Sequence, residues 1–151
     1  MISRRQAVKN SAAVTGMLLA AGMLPQMAFA FNKAAFDAKT VADVMKAMGA
    51  GAPTESKDVT LTAPDIAENG AVVPLGAATS LAGVKHMLIL VEKNPNTMVA
   101  SFDVSDAVDA NFLTRAKLGQ TSDVYAVAIT NDGKALYAKK EVKVTLGGCG
   151  G

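Results

Sequence analysis

The chain has 151 residues, with 15 Lys and Arg against 13 Asp and Glu, which gives a formal net charge of +2. This length suits one self-supporting core and is short for two domains. Three of the cations, Arg4, Arg5 and Lys9, stand at the very start; without them 12 cations face 13 acids, a balance of −1, which removes any charge-based case for nucleic-acid binding. One cysteine and one histidine are too few for a structural zinc site.

The first thirty residues have the pattern of an export signal. A basic start containing Arg4 and Arg5 precedes a weakly apolar run over residues 12–24, and Ala28-Phe29-Ala30 provides a small-residue cleavage site. The apolar run is short for a membrane span. We therefore predict a leader over residues 1–30, with Arg4 and Arg5 directing twin-arginine export to the periplasm. An ordinary signal or an N-terminal anchor is the alternative.

One amphipathic helix is predicted at the start of the mature chain. Apolar side chains recur at helical spacing between Asn32 and Met48, and Gly49 follows as a stop signal. We expect this N-terminal helix to pack its apolar stripe on the body of the domain.

After Pro53 the hydrophobic period changes to two, the period of half-buried strands. Turn signals separate the short apolar runs, and one of them, Asn131-Asp132-Gly133, favours a tight hairpin. Pro74 cannot donate a ladder hydrogen bond, so its strand is expected at an edge or with a bulge. The predicted strands lie near residues 59–63, 72–75, 84–91, 97–104, 112–118, 124–130, 134–139 and 142–146.

Short strands with evenly spaced turns predict an all-β domain, specifically an immunoglobulin-like antiparallel β-sandwich. The lack of Trp and of a second Cys in the sequence separates it from true immunoglobulin domains. We expect three parts: the leader over residues 1–30, a β-sandwich domain over residues 31–146, and a flexible C-terminal arm over residues 147–151.

The sequence contains no recognisable catalytic or cofactor motif. His86 stands in the apolar run 84–91, where a hydrogen-bonded or rim-facing histidine is more common than a metal ligand. Asp103, Asp106 and Asp109 have the spacing of a solvated loop or short helical face, and no glycine cluster precedes a helix as a phosphate-binding loop would. We expect no cofactor, no metal ion, no catalytic residue and no membrane partner.

The only cysteine lies in the segment Gly147-Gly148-Cys149-Gly150-Gly151. Glycine has the most backbone entropy to lose on ordering, so this segment is expected to stay flexible. A structural cysteine would need apolar neighbours, which glycines do not supply, and an unpaired thiol is unusual in an oxidising compartment. We therefore predict that Cys149 is a covalent attachment site on a swinging arm, thin enough to enter a narrow active-site channel.

This tail, with Val142-Lys143-Val144-Thr145 before it, strongly resembles SoxY, the sulfur-carrier subunit of the Sox thiosulfate-oxidation system. The segments APDIAENGAVVP (residues 63–74) and TRAKL (residues 114–118) resemble the same family, and the twin-arginine leader fits it. The resemblance implies a β-sandwich that forms a heterodimer with a SoxZ-like β-protein. It also implies that sulfur intermediates, including a cysteine persulfide, are bound to Cys149.

The same resemblance implies visits from periplasmic Sox enzymes. They are a c-type haem enzyme that conjugates thiosulfate, a hydrolase that releases sulfate and, in some systems, a molybdenum enzyme that oxidises the remaining sulfane sulfur. Twin-arginine export of a chain without a cofactor motif further suggests that it leaves the cytoplasm folded and bound to its partner. The strand around Pro74 would then expose β surface that needs cover.

Two other functions are compatible with a single thiol. In the first, Cys149 forms an intermolecular disulfide that anchors the protein to a second copy or to an envelope component, and non-reducing electrophoresis would show mostly dimer. In the second, Cys149 is the nucleophile of a thiol transferase, although the sequence places no base or cation beside it to activate the thiol. Turnover by the purified protein alone would favour the transferase.

Overall fold

The computed structural model describes residues 32–145 as two β-sheets with a helical layer on one side. The predicted leader and the predicted arm lie outside these residues. None of the described helices is long and apolar enough to cross a membrane. The helices are α1 (Lys33–Asp37) and α2 (Val41–Ala47). The strands are β1 (Thr54–Glu55), β2 (Val59–Thr62), β3 (Ile66–Ala67), β4 (Val73–Thr79), β5 (Val84–Val91), β6 (Met98–Asp103), β7 (Asn111–Ala116), β8 (Ser122–Thr130) and β9 (Ala135–Val144).

The helical region is two short helices and not the single helix that the sequence predicts over residues 32–48. α1 begins after Asn32, whose side chain caps its first turn, and ends because Ala38 has an extended backbone. The carbonyl oxygen of Ala38 accepts a hydrogen bond from the amide of Thr97 at 3.0 Å, a contact that a continuous helix would lose. The side chain of Thr40 then caps α2 by accepting from the amide of Asp43. A tertiary hydrogen bond therefore overrides the helical periodicity.

β9 is the strand from which the larger sheet is built, in the order β1-β9-β8-β5-β6. The sequence predicts two strands here, near residues 134–139 and 142–146. The antiparallel ladder with β8 instead continues through residues 139–141, with Lys140 opposite Val124. β1 and β3 both pair parallel with the other edge of β9. The sequence pattern predicts neither of them, since a strand of two residues carries no period.

The smaller sheet has the order β2-β4-β7 and contains Pro74. β4 is the middle strand of this sheet, so Pro74 does not lie on the edge strand that the sequence predicts. β2 pairs with β4 only as far as Gly76, opposite Thr62, and Pro74 has a ladder partner, Arg115, on one side alone. The proline thus stands where one neighbouring strand is missing, a position at which a strand tolerates it.

Two apolar clusters join the layers. The first lies between the two sheets and includes Leu75 and Met87. The second lies between the larger sheet and the helices and includes Val44 and Leu88. β5 supplies residues to both clusters, which explains why most of the run 84–91 is buried. The predicted fold class, a mainly antiparallel β-sandwich of immunoglobulin-like type, is confirmed.

The hairpin predicted at Asn131-Asp132-Gly133 joins β8 and β9. Gly133 has a φ of +82°, which favours glycine. The carboxylate of Asp132 accepts hydrogen bonds from the Lys134 ammonium group and from the Thr130 hydroxyl, and these contacts lower the pKa of Asp132 to about 2. The turn fixes the register between β8 and β9 and, with it, the place where β9 ends.

Candidate functional site

The site residues predicted from the sequence lie outside the described residues. This holds for Cys149 with its four flanking glycines, and for Arg4 and Arg5 of the leader. The structure does describe the strand that leads to Cys149, as far as Thr145. We call residues 143–145 the tail root, and it is from this root that the candidate site is built.

One edge of the tail root is held by the parallel strand β3. The amide of Lys143 donates to the carbonyl oxygen of Asp65 at 3.0 Å. The amide of Thr145 donates to the carbonyl oxygen of Ala67 at 3.1 Å. These bonds join the end of β9 to a loop more than seventy residues earlier in the chain. The loop that carries β3 therefore fixes the backbone of the tail root.

The opposite edge of the tail root is held at Val144. Its amide donates to the hydroxyl oxygen of Thr121 at 3.0 Å. Its side chain lies against Gly70, where an added Cβ would stand 2.8 Å from Cγ1 of Val144 and 2.6 Å from the carbonyl oxygen of Leu118. Both distances are too short for a real Cβ, so this contact requires glycine. Three consecutive amides of the tail root thus donate within the protein.

An ion pair connects the loop that carries β3 to the middle of β9. The Nζ of Lys140 lies 2.7 Å from the carboxylate of Asp65 and donates to the carbonyl oxygen of Ala63 at 3.0 Å. The hydrogen bond from Lys140 and the charge of the same ammonium group lower the pKa of Asp65. The pair is solvent-exposed, so its contribution to stability is small. Its geometric effect is to tie residues 63–65 to the middle of β9.

An open groove lies on the outer face of the smaller sheet, and we call it the outer groove. Residues 62–64, 74–75 and 113–115 line a volume of about 820 Å³. Leu113 is 77% exposed and lies over Gly76, where an added Cβ would stand 2.6 Å from Cδ2 of the leucine. Arg115 is the one charged side chain in the described lining, and it forms no ion pair or hydrogen bond within residues 32–145.

The described titratable groups form no metal site. Nδ1 of His86 lies 2.7 Å from the carboxylate of Asp103, which supports the interpretation of His86 as a hydrogen-bonded side chain rather than a ligand. Asp106 and Asp109 are exposed, as expected of a solvated loop. Within residues 32–145, no three His, Cys, Asp or Glu side chains come close enough together to hold a metal ion.

Sequence reasoning misses both the anchoring of the tail root and the outer groove. The turn signal Glu68-Asn69-Gly70 is visible in the sequence, and the side chain of Asn69 does accept from the amide of Ala71 at 2.9 Å. The signal does not show that Val144 packs on this turn, because the two segments are far apart in sequence. The groove likewise arises only where the ends of three strands meet.

Comparison with known proteins points to one family. The family model of the sulfur oxidation protein SoxY matches residues 44–149. The solved structure of the sulfur carrier protein SoxY from Chlorobium limicola f thiosulfatophilum is 35% identical, over 71% of this chain and 97% of that chain, with a TM-score of 0.64. No curated protein matches the sequence.

A second group of solved structures shares the fold alone. A superoxide reductase (neelaredoxin) from Ignicoccus hospitalis is 16% identical, over 58% of this chain and 79% of that chain, with a TM-score of 0.51. At this identity the similarity shows the sandwich fold and gives no information about a functional site.

We predict that replacing Gly70 with Ala displaces the tail root. The added Cβ needs space that the Leu118 carbonyl and the Val144 side chain occupy, so either the loop or the end of β9 must shift. We expect faster hydrogen exchange at the amides of Val144 and Thr145, and a loss of about 1–3 kcal/mol in the free energy of unfolding. Hydrogen exchange followed by NMR and denaturant unfolding measure the two effects.

The matched control is Gly119→Ala, since an added Cβ at Gly119 meets nothing within 4 Å. This variant should leave both exchange and stability unchanged. Wild-type exchange at Val144 and Thr145 in the Gly70→Ala protein would contradict the anchoring described here.

Proposed function

Since the chain belongs to the SoxY family of sulfur oxidation proteins, we propose that it carries thiosulfate-derived sulfur covalently on Cys149 and presents it to partner enzymes in the periplasm. The observation that carries this proposal is the extent of the family match. The matched stretch, residues 44–149, ends at the only cysteine of the 151-residue chain. A thiolate is the nucleophile that sulfur attachment requires, and no other residue of the chain can supply one.

The proposed reactions balance without chemistry from the carrier beyond its thiol. In the loading step, the thiol R–SH and thiosulfate lose two electrons and one proton to give R–S–S–SO₃⁻, and a haem enzyme takes the electrons. In the release step, water attacks the terminal sulfur, the S–S bond to it breaks, and R–S–SH, sulfate and a proton result. The carrier is the substrate of both steps, so we propose that it is not itself an enzyme.

The anchored tail root supports an arm that starts from a fixed point. Cys149 is four positions after Thr145, so its Cα can stand at most about 14 Å from the Cα of the last described residue. Glycines on both sides of Cys149 leave a bare backbone that a narrow active-site channel can admit. We propose that residues 147–151 are this arm. Its glycines Gly147, Gly148, Gly150 and Gly151 let Cys149 enter partner active sites and do not change the reactivity of its thiol.

We further propose that the chain works as a heterodimer with a SoxZ-like β-protein and reaches the periplasm by twin-arginine export through Arg4 and Arg5. The family supports membership of a multi-protein sulfur-oxidation system. Exposed Ile66 and Val72, near the tail root, add apolar surface that a subunit would cover.

The central test is Cys149→Ser. The hydroxyl cannot form the S–S bond, so we expect sulfur oxidation by the reconstituted system to be abolished, while the thermal unfolding temperature stays at the wild-type value. Cys149→Ala serves as the second variant, because it lacks the hydroxyl as well and should behave in the same way. Sulfur oxidation at the wild-type rate in either variant would refute the carrier function.

A second prediction separates access from reactivity. Replacing Gly148 and Gly150 with Val widens the chain beside Cys149, because each substitution adds a branched side chain. We expect unchanged reaction with a small thiol reagent and a loss of most processing by the partner enzymes. Ala at both positions is the matched control and should show an intermediate loss. Normal enzymatic processing of the valine variant would show that the visiting active sites are open.

The heterodimer predicts a definite result on purification. Protein isolated from periplasm should elute with a second subunit in a one-to-one ratio and remain associated at micromolar concentration. Arg4→Lys together with Arg5→Lys should prevent export of both subunits if they leave the cytoplasm together. A monodisperse monomer with no co-purifying subunit would count against the proposal.

A further inference from the structure

We propose that the outer groove is the docking site of an enzyme that acts on Cys149. The enzyme would seat an apolar side chain between Pro74 and Leu113 and place a carboxylate opposite Arg115. The inference rests on the proposed carrier function and assigns part of its partner recognition to the body of the domain. Neither the family match nor the similar structures assign this surface.

The chemistry of the groove fits such an occupant. Pro74 and Leu113 are both exposed, and the leucine lies over the bare backbone of Gly76, so the groove offers an apolar floor and one prominent apolar wall. Arg115 faces Pro74 across the β4–β7 ladder and has no acidic partner among the described residues. A carboxylate beside an apolar side chain would satisfy both features, and a guanidinium binds carboxylates with two hydrogen bonds.

The groove lies close to the tail root. Pro74 is four residues from Gly70, which contacts Val144, so at most about 14 Å of chain separates the groove from the tail root on that side. On the other side, the carbonyl oxygen of Ala63 accepts from Lys140, four residues before Val144. Cys149 in turn lies within about 14 Å of Thr145. A protein seated in the groove therefore stands where the thiol can reach it.

The groove offers one anchor point with a single charge, which is less than the whole surface that a permanent subunit needs. A stable interface takes 20–30 residues from each partner, and about 1,200 Å² of total buried area is the lower limit of that class. The described lining of the groove has eight residues. A second copy docked symmetrically on the same groove would bring two Arg115 side chains together without an acid. A single anchor with one charge suits brief, electrostatically steered encounters.

The test uses the heterodimeric carrier loaded with the S–S–SO₃⁻ group on Cys149 and the purified sulfate-releasing Sox hydrolase. The groove variants are Leu113→Thr and Arg115→Glu, both at exposed strand positions that tolerate polar side chains. The matched controls are Val108→Thr, an exposed apolar residue outside the groove, and Lys46→Glu, on the helical layer beyond the larger sheet. Arg115→Lys tests whether a charge alone suffices.

Each groove variant should raise the KM for the loaded carrier about fivefold or more with kcat nearly unchanged, the effect of losing one interface anchor. Arg115→Glu should also weaken the salt dependence of KM, and Arg115→Lys should fall between Arg115→Glu and the wild type, because an ammonium group keeps the charge and loses the two-bond geometry. Reaction of Cys149 with a small thiol reagent should stay the same in every variant. Both controls should keep the wild-type KM.

Three results would overturn the inference. Wild-type KM values in both groove variants would show that the groove docks no enzyme, while normal loading of Cys149 would leave the carrier function intact. Loss of the co-purifying subunit in the variants would make the groove a subunit interface. Faster reagent modification of Cys149 would show that the protein's own tail occupies the groove. A wild-type carrier that never acquires sulfur would instead refute the carrier function on which the inference rests.

Discussion

The proposed role of the protein depends on the hydrogen bonds that fix the end of β9. They hold the chain as far as Thr145, two positions before the glycine-rich segment 147–151 begins. β3 binds one edge of that end, through Asp65 and Ala67, and Thr121 binds the other. β9 also pairs with β8 from Ala135 to Val142, so the tail root directly follows a paired stretch of the larger sheet. In the account proposed here, this fixed point is where the arm that carries Cys149 begins.

We propose that the chemistry of the thiol and its recognition by partner enzymes are separated. We propose that Cys149 relies on the visiting enzymes for activation, because the sequence places no base or cation beside it. In the proposed periplasmic location, a thiol without its own activating group would also avoid unwanted disulfides, which form through the thiolate. We propose that recognition falls to surfaces of the domain, and that the outer groove with Leu113 and Arg115 is one of them. In this proposal the visiting enzyme activates the thiol, and the carrier presents it.

The sequence predicts the fold class well and the details of the site poorly, for reasons that particular residues show. The apolar run 84–91 matches β5 at both ends, since its residues fill both apolar clusters. The single helix predicted from Asn32 to Met48 divides at Ala38 because a hydrogen bond from Thr97 outweighs local periodicity. The hydrogen bonds between β3 and Thr145 leave no local signal in the sequence, since they join residues 78 positions apart. Cys149 is singled out by the sequence because its glycine neighbours are unusual, and its role stays a prediction.

Intact-mass analysis of the protein, purified from the periplasm of cells grown with and without thiosulfate, tests the central claim most directly. We expect a mass increase in the thiosulfate-grown sample that corresponds to added sulfur or to a thiosulfate-derived group. It should map to Cys149 by peptide analysis and disappear on treatment with a reducing thiol. The account would be contradicted by an unmodified Cys149, or a Cys149 found mainly in a disulfide-linked dimer, under both growth conditions.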